Sequence, residues 1–169
     1  MNPFRRLLLL LLTGCVIVGC DSPDPKNAHR HGKPEAAAAE NSEFLRPDIF
    51  VAAPSRVDGC VGLYTYDSLN IAFDSLDVDK GKKIFVTVPT SFAFLRLHRK
   101  DVYLHFDSAE SKRIDAKTFR EVYRGNDYTA VLITHSVREE GETVWSAGTL
   151  EIVFKDKHFK IKVRGLSGC

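Results

Sequence analysis

From Cys60 onward, apolar and polar residues alternate with a period of two, and turn-forming residues separate the runs. Val61, Leu63 and Thr65 alternate with Gly62, Tyr64 and Tyr66. Ile71 and Phe73 begin a second run. Ile84, Val86 and Val88 form a third, which stops at Pro89 because proline cannot donate to a ladder. Residues 92–106 predict a hairpin turning at His98-Arg99-Lys100-Asp101. That register sets Leu97 against Val102, Leu95 against Leu104 and Ala93 against Phe106. A one-residue slip would turn one strand's apolar set to the wrong face, so the pattern constrains the pairing.

The C-terminal third reads as a three-stranded meander. Across Lys155-Asp156-Lys157-His158, Phe154 is expected opposite Phe159, Ile152 opposite Ile161, Leu150 opposite Val163, and Glu151 opposite Lys162. A turn near Glu140-Gly141 would set Val137 against Val144, Ile133 against Gly148 and Val131 against Leu150. Gly148 inside a long strand points to a bend, a bulge or a barrel corner. One short helix is expected after Asp115 as its cap, with Ala116, Phe119, Val122 and Tyr123 on one face and Gly125 as its stop. It would cover a patch of Tyr128, Leu132, Trp145 and Ala147. The predicted class is mainly β: a small antiparallel β-barrel or sandwich of about eight strands with one short helix. The domain is placed over residues 48–169.

Residues 1–20 follow a different rule. Arg5 and Arg6 precede an apolar run from Leu7 to Val18. At about 12 residues this run is too short to cross a bilayer, which takes about 20, but it suits a secretory signal. It ends Ile17-Val18-Gly19-Cys20, which resembles the lipobox of bacterial lipoproteins. The alternative at Leu12-Thr13-Gly14-Cys15 would leave too short an apolar run. The resemblance covers these 20 residues alone. It implies removal of residues 1–19, lipidation of Cys20 and a membrane partner through that anchor, with the domain outside the cytoplasm on the periplasmic side. In enterobacterial lipoproteins an aspartate after the cysteine marks retention at the inner membrane, so Asp21 favours that membrane over the outer one.

Four cysteines are present. With Cys15 cleaved away and Cys20 lipidated, Cys60 and Cys169 remain in an oxidising compartment and are expected to form a disulfide. Residues 20–47 are rich in Pro, Ala, Ser, Asn and charge, and read as a flexible tether. About 27 such residues have an r.m.s. span of roughly 25–30 Å.

Composition narrows the function. Hydrophobic residues make up 44% of the chain, enough to build a core. Lys+Arg total 24 against 22 Asp+Glu, which argues against a dedicated nucleic-acid binder. No GxSxG, HExxH, phosphate-binding loop or dinucleotide fingerprint occurs, and no cofactor is implied. His135 is expected on the apolar face opposite Ser146, where the pair could bind a ligand or act as a base; Trp145 lies beside it in sequence. Tyr64, Tyr66, Tyr103, Tyr123, Tyr128 and Trp145 could build an aromatic surface, and Lys155, Lys157, Lys160, Lys162 and Arg164 a basic face. These features favour a non-enzymatic binding module of the cell envelope, with another envelope protein or a small apolar ligand as partner. The alternatives are a small hydrolase or isomerase centred on His135, an inhibitor of an envelope-targeting enzyme or toxin, and a purely structural lipoprotein.

Overall fold

The computed structural model describes residues 42–53, 57, 59–72, 76–77 and 80–169. The leader, Cys20 and tether residues 21–41 lie outside the described residues, as does Phe73. Among the described residues nine strands are formed: β1 (Val61–Tyr66), β2 (Phe85–Val88), β3 (Phe92–Leu97), β4 (Lys100–Phe106), β5 (Lys112–Arg113), β6 (Thr118–Gly125), β7 (Tyr128–Glu140), β8 (Thr143–Phe154) and β9 (Lys157–Gly168). Eight of them pair antiparallel in chain order, and β1–β9 and β4–β6 contacts complete the circle. The result is a closed up-and-down barrel in which every main strand has two neighbours and no long edge is left open. β5 is a short addition beside β6.

The expected helix is not formed, and residues 118–125 are strand β6. The cap signal is genuine but belongs to a turn: Asp115 Oδ1 accepts the backbone N–H groups of Lys117 and Thr118 at 2.8 and 2.9 Å. The segment after it satisfies a period of two as well as a helical one. Glu121 and Tyr123 face inward, while Arg120 and Arg124 face outward. Barrel closure decides between the readings, because β6 pairs β7 along its whole length and meets β4 at His105↔Arg124 and Phe106↔Tyr123. That short seam is clamped by Arg124, whose guanidinium meets Asp107 at 2.8 Å and Glu110 at 2.6 Å.

The hairpin turns are tighter than expected. β3 and β4 turn at His98-Arg99, both with positive φ, so Leu97 faces Lys100 and Leu95 faces Val102. β8 and β9 turn at Lys155-Asp156, so Ile152 faces Phe159, Leu150 faces Ile161 and Glu151 faces Lys160. Each register differs from expectation by two residues, which changes the partners and keeps the faces. The β7–β8 register differs by one, and the faces exchange. Leu132 faces Leu150 and Thr134 faces Gly148, so Ala130, Leu132, Thr134 and Ser136 point inward while His135 and Val137 lie outside. β7 carries Val131-Leu132-Ile133 in succession, so apolarity marks no single face. The two-residue turn Asn126-Asp127, again with both φ positive, sets its phase.

Gly148 lies where a β7 backbone passes too close for any side chain, the close approach that a glycine in mid-strand signals. A bulge follows on β7 between Ser136 and Arg138. It leaves Val137 exposed and swings Arg138 onto the Trp145 ring, 3.7 Å from its centroid.

Inside the barrel, Tyr66, Phe85, Leu95, Leu104, Leu132, Leu150 and Val163 belong to one packed cluster. The end of the expected tether is part of this structure. Leu45, in a 3-10 turn (Glu43–Leu45), is fully buried in that cluster. Ser42 donates its N–H to the His158 carbonyl, and Phe44 packs on His98. The folded unit therefore includes residues 42–47, and one barrel end is plugged. A second cluster of Phe50, Val61, Leu63, Val86 and Phe94 lies on the outside of β1–β3. Ile71, expected to start a strand, sits in the irregular connection between β1 and β2. Cys60 and Cys169 are joined by a disulfide across a separation of 109 residues. It sits just beyond the Val61↔Gly168 pair and pins the β1–β9 seam at the unplugged end.

A candidate ligand site at the barrel mouth

The unplugged end opens into a cavity of about 240 Å³. Tyr64 from β1, Thr87 and Pro89 from β2 and its loop, Phe119 and Glu121 from β6, and Thr134 from β7 line it. Val144, Ser146 and Ser167, from β8 and β9, complete the wall, most of whose surface is carbon. Strand alternation produces this composition. The same inward positions that carry Leu, Phe and Val deep in the barrel carry Thr, Ser and Glu near the mouth.

Tyr64 is placed by glycines. It pairs with Gly165 on β9, and Gly165 pairs in turn with Ser146 on β8. A Cβ at Gly165 would fall within 3 Å of the Tyr64 ring, and one at Gly62 would meet the same ring. The phenol therefore lies across a bare stretch of backbone toward Ser146. Burial pushes its ionisation up, and the nearby Glu121 charge adds to that.

Among the described residues, Glu121 is the one carboxyl in the wall. Removal from water raises its pKa above the usual range, opposed in part by the Tyr123 phenol. Burial likewise pushes Tyr123 up, with Glu121 and Tyr64 adding to the effect. The Tyr123 hydroxyl is fully buried beside Glu121 and Thr87, one inward position deeper along β6 than the cavity wall.

The residues singled out from sequence do not converge here. His135 is exposed on the outer wall, opposite Ala147, with its Nδ1 3.2 Å from Thr118 Oγ1. Ser146 faces inward and lines the mouth, so the expected His135–Ser146 pair is not formed. Trp145 is buried on the outside under Arg138. The tyrosines are also divided: Tyr64, Tyr66 and Tyr123 are inside, Tyr103 packs on Phe94, and Tyr128 stacks on Phe154. Arg164 of the basic face is engaged by Asp67 at 2.7 Å, and Lys160 meets Glu151 at 3.9 Å. Glu121 was missed because residues 115–125 matched a helical period, which left no reason to place an acid inside. The signal that could have revealed it is Phe119-Glu121-Tyr123-Gly125 read with a period of two.

Among the described residues, no three histidine, cysteine, aspartate or glutamate side chains are grouped to hold a metal, and no helix is long and apolar enough to cross a membrane. The class this geometry defines is a small antiparallel meander barrel with a packed interior, one plugged end and one open mouth. No family model, curated protein or solved structure matches the chain.

Proposed function

We propose that this chain is a binding module of the bacterial cell envelope, held to the membrane by a lipid on Cys20, whose ligand enters the barrel mouth. The observation that carries this reading is the cavity over Glu121, where a half-buried acid and several hydroxyl groups lie within a largely carbon wall. Ligand sites have this composition: mostly apolar surface with a few fixed polar groups. A barrel serving only as a spacer gains nothing from an acid held partly out of water, which reduces stability. The lipobox resemblance supports the anchor, and the Cys60–Cys169 disulfide suits an oxidising compartment.

The test places a photo-crosslinking amino acid at Phe119 on the mouth rim, and separately at Ala147 on the outer wall, in living cells. Adducts that form at position 119 and not at 147 support the mouth as the binding surface. Adducts at neither, or equally at both, overturn it. Cys20→Ala tests the anchor: the variant should lose lipid incorporation and release the domain from membranes, and unchanged membrane retention would refute it.

A further inference from the structure

Among the described residues lining the cavity there is one carboxylate, and no lysine, arginine or histidine. Arg120 and Arg124 flank Glu121 in sequence, but strand alternation puts them outside, where they bind Glu110 and Asp107. Glu121 has no ion pair among the described residues. Around it, Tyr64, Thr87, Thr134, Ser146 and Ser167 contribute hydroxyl groups to the lining.

From this arrangement, and resting on the mouth being the binding surface, we infer that the cavity binds an alkyl cation: a primary ammonium at the end of a short aliphatic chain. The ammonium has three N–H donors and no acceptor. It matches a ring of acceptors around one carboxylate, and a charge-assisted pair with Glu121 would stabilise the ionised acid that burial disfavours. An anion would meet Glu121 as a like charge. A neutral alcohol would satisfy a hydroxyl but leave the acid without a counter-charge. Pro89, Phe119 and Val144 offer carbon surface to the methylenes. The cavity of about 240 Å³ has room for about eight waters at roughly 30 Å³ each, which suits an aminobutyl group.

The experiment titrates the chain, purified from membranes in non-ionic detergent, with n-butylammonium, n-butanol and butyrate, followed by backbone amide NMR. Butylammonium should shift the amides of Thr134, Ser146 and Ser167 saturably, and butanol and butyrate should bind at least ten-fold more weakly. Glu121→Gln should weaken butylammonium at least ten-fold while its amide spectrum shows an intact fold, and Glu121→Asp, which keeps the charge, should retain most of the binding. Butanol binding as tightly as butylammonium, or Glu121→Gln binding unchanged, overturns the cation assignment and leaves the mouth standing as a site. No saturable shift with any of the three probes overturns the cation assignment, while the crosslinking comparison at Phe119 judges the mouth separately. Nα-acetyl-lysine methylamide identifies the source: binding equal to butylammonium supports a lysyl side chain of a partner, and binding by butylammonium alone supports a free amine.

Discussion

The ring of Tyr64 occupies, together with the Leu63 carbonyl, the space that a side chain on Gly165 would fill. This single relationship carries a tyrosine from β1 across β9 to Ser146 on β8, and so builds one wall of the mouth. Gly165→Ala should displace the ring and destabilise the fold by about 1–3 kcal/mol, the usual cost of overpacking. Part of that loss should be recovered in Tyr64→Ala/Gly165→Ala, because the two sites share one volume. Urea unfolding of the four variants of the cycle checks this, and strict additivity would contradict it.

Glu121→Gln should stabilise the folded protein at neutral pH. The folded carboxyl titrates above its ordinary value of 4.5, so within that window the folded state binds more protons than the unfolded one. Stability should therefore fall as pH rises through the window and then level off. The glutamine variant should lack that fall, and its advantage should vanish below the window. Thermal melts of both proteins from pH 3 to pH 8 measure the difference. A binding site that costs stability would then be exposed directly.

Asp107 should show the opposite sign. The Arg124 guanidinium and the backbone N–H groups of Glu110 and Ala109 hold its carboxyl below the ordinary value of 3.8. A depressed pKa gives stability that is present above the unfolded value and lost as pH falls through the folded one. The β4–β6 seam should loosen in acid, and Asp107→Asn should be less stable than wild type at neutral pH but lose less on acidification. Amide hydrogen exchange at Tyr123 and Arg124 across that range reports it.

Leu45 should behave as a core residue, although its sequence context reads as tether. It is fully buried, and Leu45→Ala should cost about 2–5 kcal/mol, as large-to-small core changes do. His135→Ala, exposed on the outer wall, should stay within about 0.5 kcal/mol of wild type. Denaturant midpoints compare the two, and a larger effect at His135 would reverse the assignment of faces.

The Cys60–Cys169 bond closes nearly the whole barrel. By chain-entropy reasoning a loop of this length contributes roughly 4–5 kcal/mol. The doubly substituted Cys60→Ser/Cys169→Ser protein should unfold at markedly lower denaturant. It should also exchange amides faster near Gly168 than near Phe159, since the bond pins only the mouth end of β9.

By itself the sequence determined the β class, the eight-strand scale, the hairpin over residues 92–106, a second hairpin turning near residues 155–158, and the Cys60–Cys169 pair. Alternation with a period of two and the cysteine count are local properties, and they survive without knowledge of distant partners. Registers depend on turn geometry. His98-Arg99 and Asn126-Asp127 adopt positive φ with no glycine to announce it, so the pairings were legible only to within one or two residues. Tertiary structure alone decided that residues 118–125 close the barrel as a strand, that His135 faces out, and that Leu45 plugs one end. Helical and extended periods coincide over those few residues, and only the pairing of β6 with both β4 and β7 separates them. The candidate site depends on the same closure, because Glu121 and Tyr64, 57 positions apart in the sequence, share one cavity only once the strands have come full circle.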